Sequence, residues 1–310
     1  MPKEVFHDDY GFIERAELLT FEEIARLAGL AVRHLGVTKL RLTGGEPLLR
    51  RDLPVLVRML ADIDRSIDLA LTTNGYLLAD QAQALADAGC KRVTVSLDAL
   101  DTESFTRMSG GVDGLARVLA GIDAAERAGL TPIKINCVVV RGMNEHAVEA
   151  LARRFHGSGH IVRFIEFMDV GTRNHWTADA VVSAEEIRAV IERFSALDPV
   201  EPSRAGEVAE RFRYRDGGGE VGIIASVTRP FCGACSRGRL SADGRLITCL
   251  FSSGGVSIRQ SLRAGASDED LVELLSAAWR DRDDRYSELR AELGRGEHAR
   301  RRLEMYQVGG

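Results

Sequence analysis

The sequence predicts an α/β fold in which a parallel sheet curves into an incomplete barrel, and three observations predict it. Strand-like and helical runs alternate from Thr20 to Leu197, as in consecutive βα units. Each strand-like run has one polar and one apolar face. A glycine-rich turn comes directly after the first strand, at the strand's C-terminal end where βα barrels place their sites.

The elements justify themselves in order. Thr20 and Glu23 have capping-box spacing and open an amphipathic helix that runs to Leu35. Strands are predicted over 39–43, 67–72, 92–96, 133–139 and 161–167, with helices over 53–61, 80–88, 112–128, 144–155 and 184–194. In the first strand Lys39, Arg41 and Thr43 oppose Leu40 and Leu42. Thr94 and Ser96 oppose Val93 and Val95, and Lys134 and Asn136 oppose Ile133, Ile135 and Cys137. A doubly wound sheet covered on both sides would be apolar on both faces. The polar face is therefore assigned to the interior of an open barrel able to hold a charged ligand, with a solvated antiparallel face as the competing reading. Proline, glycine and charge mix over 198–219, which places a boundary near residue 200 between a partial barrel (1–200) and a smaller C-terminal region (201–310).

Composition narrows the function. Forty-one basic against 46 acidic residues give a net charge of −5, which argues against a nucleic acid held by bulk charge, so any anion site is local. No apolar run is long enough to span a bilayer and the first ten residues have no apolar signal core, so a cytoplasmic protein without a membrane partner is expected. Five cysteines in such a chain read as reduced thiols.

Two motifs carry chemistry. Gly44-Gly45-Glu46-Pro47 exposes main chain at the end of the first strand and lacks the spacing of a phosphate loop; alone it also fits a plain tight turn. Cys232-x-x-Cys235 is followed after thirteen residues by Cys249, and the Asp243-Gly244 turn carries Cys249 back toward the pair. No histidine or fourth cysteine lies nearby. An iron-sulfur cluster with one open iron is favoured over zinc with a remote fourth ligand, and unligated thiols come third. Lys39, Arg41, Arg163, Arg237 and Arg239 fall beside these motifs, and arginine forks suit phosphate oxygens, which points to an anionic substrate such as a triphosphate. The seven histidines show no metal spacing.

Together these residues resemble the radical-SAM GTP 3′,8-cyclases, over essentially the whole chain. The resemblance implies an incomplete (β/α)6 barrel with a C-terminal iron-sulfur cluster domain. It implies SAM on Gly44, Gly45 and Glu46, with further contacts from Thr73, Ser96, Lys134 and Met168. It places GTP on Lys39, Arg41, Arg163, Arg237 and Arg239, with the terminal Gly309 and Gly310 reaching back to the site. Cys232, Cys235 and Cys249 would hold a 4Fe-4S cluster. The implied activity is SAM-derived radical conversion of GTP to 3′,8-cyclo-7,8-dihydro-GTP, the first step of molybdenum cofactor biosynthesis. An electron donor and a downstream cyclic pyranopterin monophosphate synthase are the implied partners, and a homodimer is compatible.

The chain departs from that pattern at its start. The family's N-terminal 4Fe-4S cluster uses Cys-x3-Cys-x2-Cys after the first barrel strand, followed by Met-Pro, whereas this sequence begins Met1-Pro2. The first strand and the first ligand set are therefore expected to be missing, and the 310 residues as written are expected not to cleave SAM. A GTP- or cluster-binding remnant and another twin-cluster radical-SAM enzyme are the alternatives.

Overall fold

The computed structural model describes residues 13–171, 174–204, 206–289 and 303. Five parallel strands come one after another in chain order: β1 (Lys39–Leu42), β2 (Asp68–Thr73), β3 (Arg92–Ser96), β4 (Lys134–Val139) and β5 (Ile161–Glu166). Helices cross between them and precede them: α1 (Phe21–Leu35), α2 (Leu53–Ala61), α3 (Leu78–Asp87), α4 (Thr102–Met108), α5 (Leu115–Arg127) and α6 (Ala147–Phe155). α1 starts where the capping box predicts. The Glu23 amide donates to Thr20 Oγ1 at 3.2 Å, and the Thr20 amide donates to the Glu23 carboxylate at 2.8 Å.

The sheet does not stop at residue 200. After α7 (Ala184–Glu192) come β6 (Leu197–Val200), β7 (Glu210–Tyr214) and β8 (Glu220–Ile224). β8 pairs with β5 in parallel, and β7 and β6 extend the sheet antiparallel, giving the order β1-β2-β3-β4-β5-β8-β7-β6. The proline and glycines that suggested irregular chain sit where a sheet tolerates them. Pro199 lies in the terminal strand β6, and the glycines of 217–219 turn β7 into β8. β1 is the other end of the sheet, and all four of its residues are half-buried.

The side-chain alternation in burial is as predicted in β4. In β4, Ile135, Cys137 and Val139 are buried under the helices while Lys134, Asn136 and Val138 are only partly covered on the inner face. The apolar faces of β2 to β5 pack on α2, α3, α5, α6 and α7 through Leu71, Val95, Phe164, Leu60, Leu85 and Ile122, all at most 3% exposed. A fully buried carboxylate ties the end of β5 to later parts of the chain. Glu166 accepts from the main-chain amides of Ala184, Val227 and Thr228, each at 2.8 Å. Two of those donors come from the turn after β8 and one from the N-terminus of α7, whose dipole favours the anion.

A second, smaller core joins the two ends of the described chain. Leu19, with Leu27 and Leu30 of α1, packs on Ile258 and Leu262 of α8 (Ile258–Arg263) and on Leu271 and Leu275 of α9 (Asp268–Arg280). Arg263 to Glu23 at 2.8 Å and Arg26 to Asp268 at 2.7 Å flank it. The cysteine region lies between α8 and the sheet. It contains the predicted hairpin, β9 (Arg239–Leu240) with β10 (Arg245–Ile247), to which β11 (Val256–Ser257) adds a third strand, and the chain passes on to α10 (Tyr286–Leu289). Among the described residues no helix is long and apolar enough to cross a membrane.

Candidate active site

The inner face of the sheet and the cysteine hairpin line an open cavity of about 2460 Å³. At its rim, Gly44 has φ 143° and open space where a Cβ would stand, so the main chain is bare for close approach of a ligand. Glu46 does not point freely into that space. Its carboxylate accepts from the Thr73 hydroxyl at 2.7 Å, the Asn74 amide at 2.8 Å and the Leu48 amide at 3.0 Å, which locks the turn after β1 to the end of β2. Thr73 is 2% exposed and also accepts from the Gly75 amide, so alternation turns Thr72, not Thr73, onto the cavity wall. Gly45, Ser96, Lys134 and Met168 all line the cavity.

Cations crowd the middle of this face. Arg41 donates to the Thr72 hydroxyl at 2.9 Å and Arg163 donates from Nε to Asn136 Oδ1 at 2.9 Å. Lys39 stands 3.4 Å from Asp68. Sequence reasoning missed three neighbours: Arg92, paired with Asp68; Asp68 itself; and Arg204, in the loop before β7. The register β1-β2-β3 brings Lys39 opposite Asp68, and Arg92 lies on the next strand. Burial, and then repulsion from Arg92 and Arg41, push Lys39 down to about 8. Burial and the neighbouring Arg163 push Lys134 to about 8 as well. Burial lowers Arg41 to about 10 and Arg163 to about 9, with the other arginines adding to both. Asp98, just after β3, is pushed up to about 6 by burial, although its Oδ1 accepts from the Val138 amide at 2.8 Å. Packing like charges this closely is unfavourable in the free protein and is relieved by a polyanion.

The far wall of the cavity carries the thiols. Cys232, Cys235 and Cys249 are half-buried and all line it, as do Arg237 and Arg239. Arg237 donates through Nε and Nη2 to Cys235 Sγ at 3.4 and 3.3 Å, and lies 5.2 Å over the Phe231 ring. Burial would raise the Cys235 thiol, but Arg237 outweighs it and holds the group below the ordinary thiol range. Burial raises Cys249, and burial followed by Arg237 lowers Arg239. Among the described residues no three His, Cys, Asp or Glu groups converge as a ready metal cage; the thiols share a wall rather than a point. The other two cysteines are structural. Cys90 is raised to about 11 and Cys137 well above the ordinary range, both by burial in the helix-covered core. Gly309 and Gly310 lie outside the described residues, while the Leu303 amide donates to the Ser252 carbonyl at 3.0 Å beside the cavity that Leu303 lines.

Comparison with known proteins agrees with this geometry. Residues 5–155 match the model of the radical SAM superfamily, and residues 160–288 match that of Molybdenum Cofactor Synthesis C. The chain is 55% identical over 295 residues to the GTP 3′,8-cyclase of Acidothermus cellulolyticus, covering 94% of this chain and 81% of the relative. It is 50% identical over 310 residues to that of Xanthomonas campestris pv. campestris, covering 100% of this chain and 89% of the relative. The match to the Staphylococcus aureus GTP 3′,8-cyclase is 43% over 311 residues, covering 100% of this chain and 91% of the relative. In fold, the chain is similar to native anSMEcpe with bound AdoMet at a TM-score of 0.52 and 15% identity, over 88% of this chain and 76% of that one. The parallel sheet, the cysteine-bearing C-terminal region and relatives this similar over the whole of its length agree: the chain belongs to the GTP 3′,8-cyclase family of radical SAM proteins.

Proposed function

We propose that this cavity is where the family's reaction takes place, the conversion of GTP to 3′,8-cyclo-7,8-dihydro-GTP at the head of molybdenum cofactor biosynthesis. The observation that carries the reading is convergence. Cations from β1, β3, β4, β5 and β9 face one cavity in a chain whose net charge is −5, and an anion bearing several charges is the ligand that offsets them. Lys39, Arg41 and Arg163 take phosphate oxygens on the sheet face, and Arg237 and Arg239 hold the substrate beside the thiols. Gly309 and Gly310 complete the set. SAM sits at the bare turn of Gly44 and Gly45, flanked by Ser96, Lys134 and Met168, with Glu46 and Thr73 fixing the turn's shape.

Cys232, Cys235 and Cys249 hold a 4Fe-4S cluster. The donor set fits the group: three thiols without histidine, one already drawn toward thiolate by Arg237. When bound, SAM and a radical-SAM cluster would supply the hydrogen-abstracting radical chemistry, and the residues named above would hold GTP for it. The chain's own part is placement. Forked arginine contacts pin the triphosphate, so the ribose and purine are presented in one orientation. The electron comes from an external cytoplasmic donor, and a separate synthase takes the product on to cyclic pyranopterin monophosphate.

These 310 residues supply one cysteine trio, since Cys90 and Cys137 are buried in the core. A polypeptide of these 310 residues is expected to bind GTP without cleaving SAM, and one that adds Cys-x3-Cys-x2-Cys ahead of residue 1 is expected to cyclise GTP. The test expresses both forms, reconstitutes them without oxygen, and measures GTP binding by calorimetry and 5′-deoxyadenosine by chromatography after dithionite, SAM and GTP are added. Comparable 5′-deoxyadenosine from the two forms would overturn the one-cluster argument. Absence of GTP binding in both would overturn the substrate assignment.

A further inference from the structure

The thiol wall has a fourth anionic group that the sequence alone does not point to. The chain from the end of α9 into α10 is strapped across the cysteine loop at two points. Arg282 Nη2 donates to the Cys235 carbonyl at 2.6 Å, and the Gly233 amide donates to Glu288 Oε1 at 2.9 Å. Between these ties, Asp284 lines the same cavity as the three thiols. Its Oδ2 is buried and has no hydrogen-bond partner among the described residues.

A buried carboxylate oxygen without a donor is costly, and setting it beside a thiol that must ionise to ligate compounds the cost. Arg237, Arg239 and Arg282 are the cations beside the thiols, and none of them donates to this oxygen. Arg237 is turned to Cys235, and Arg282 to the Cys235 carbonyl with its guanidinium 3.7 Å over the Trp279 ring. Among the described residues, a hydrogen-bond donor is therefore not what this oxygen meets. A metal ion between the carboxylate and the thiolates resolves both problems at once, because it turns mutual repulsion into common attraction. Three thiolates leave one iron of a 4Fe-4S cluster open, and the missing donor is of the kind Asp284 offers.

We infer that Asp284 is the fourth, exchangeable ligand of the cluster at Cys232, Cys235 and Cys249. Its carboxylate occupies the iron left open by the thiols and gives that position up when substrate binds. The inference rests on the cluster reading above and adds a protein oxygen to it. Ligation uses a lone pair of the ionised carboxylate, and no electron is transferred.

The 310-residue chain suits the test because its other cysteines are buried, so bound iron reports on the trio. Wild type, Asp284→Ala, Asp284→Asn and Asp284→Cys are reconstituted with iron-57 and sulfide without oxygen. Folding is checked by circular dichroism, and Mössbauer and electron paramagnetic resonance spectra are recorded with and without GTP. Wild type should show one iron site distinct from the others, and GTP should shift it. In Asp284→Ala and Asp284→Asn that site should change before GTP is added. It should also be lost roughly tenfold faster on mild oxidation, leaving the signal of a three-iron cluster. Asp284→Cys should retain the iron and make all sites alike. If iron and sulfide assemble normally and the Ala and Asn variants match wild type in spectrum and iron retention, the inference is overturned while the cluster reading stands. If wild type binds zinc and no iron or sulfide, both fall.

Discussion

At Glu46 one carboxylate organises two turns, accepting from a hydroxyl and two main-chain amides that belong to consecutive βα units. Glu46→Gln preserves shape but sets an amide hydrogen against donors. A loss on the order of 1–3 kcal/mol in denaturant unfolding is expected, with Glu46→Ala at the upper end. The lysines of the cavity make a different prediction. Lys39 and Lys134 titrate near 8 rather than at the ordinary 10.5, so the folded state favours their neutral forms. Their crowding destabilises the free protein fully below pH 8 and is relieved as pH rises from 8 toward 10.5. An anion in the cavity reverses this preference. Affinity for inorganic tripolyphosphate, measured by calorimetry, should fall from about pH 7 to about pH 9, with proton uptake on binding near pH 8; Lys39→Met should weaken both dependences. Alternation along single strands makes Lys39, Arg41, Lys134 and Arg163 legible in the sequence. The same rule reaches Arg92, two residues before Thr94, but its partnership with Asp68 depends on the register between strands, which no single strand displays. Asp284 gives no signal at all, because the strap that delivers it lies 35 positions beyond Cys249 and is set by tertiary contacts.

The elements track the hydrophobic period closely where each end has its own chemical marker. Predicted and observed bounds coincide for β3 and α2, and the capping box marks the start of α1. α4 lacks a long apolar stripe and begins at an aspartate cap, Asp101, whose carboxylate accepts from the Ser104 amide at 2.8 Å; seven residues give too few turns for periodicity to show. β6 and β7 are hidden in the sequence by proline, glycine and charge because a strand near the edge tolerates all three. The second core offers a clean test of an element-level dependence, since α1 has its apolar stripe facing α8 and α9 rather than only the sheet. Leu271, in α9, is fully buried there. Leu271→Ala should cost about 2–5 kcal/mol by cavity formation. The loss should also appear as faster amide exchange in α1, some 240 residues away in sequence, while exchange in β3 and β4 changes little.

For the molecule as a whole, the charge distribution matters more than its sum: a net-acidic chain gathers buried cations on one inner face. That arrangement lets a net-negative, self-repelling exterior coexist with a site for a polyanion. The joining of α1 to α8 and α9 has a consequence in time. Glu23 meets Arg263 at a separation of 240 positions. During synthesis at about 5–20 residues per second, α1 therefore waits on the order of 10–50 s after it emerges before its partner helices exist. Over that interval Leu27 and Leu30 have no permanent cover. The βα units between them can zip up in order as they appear, because each strand pairs with the one made just before it. Closure of the barrel onto the cysteine region thus follows the emergence of α9, and a nascent chain stalled before α9 would expose a sticky helix that a chaperone must shield.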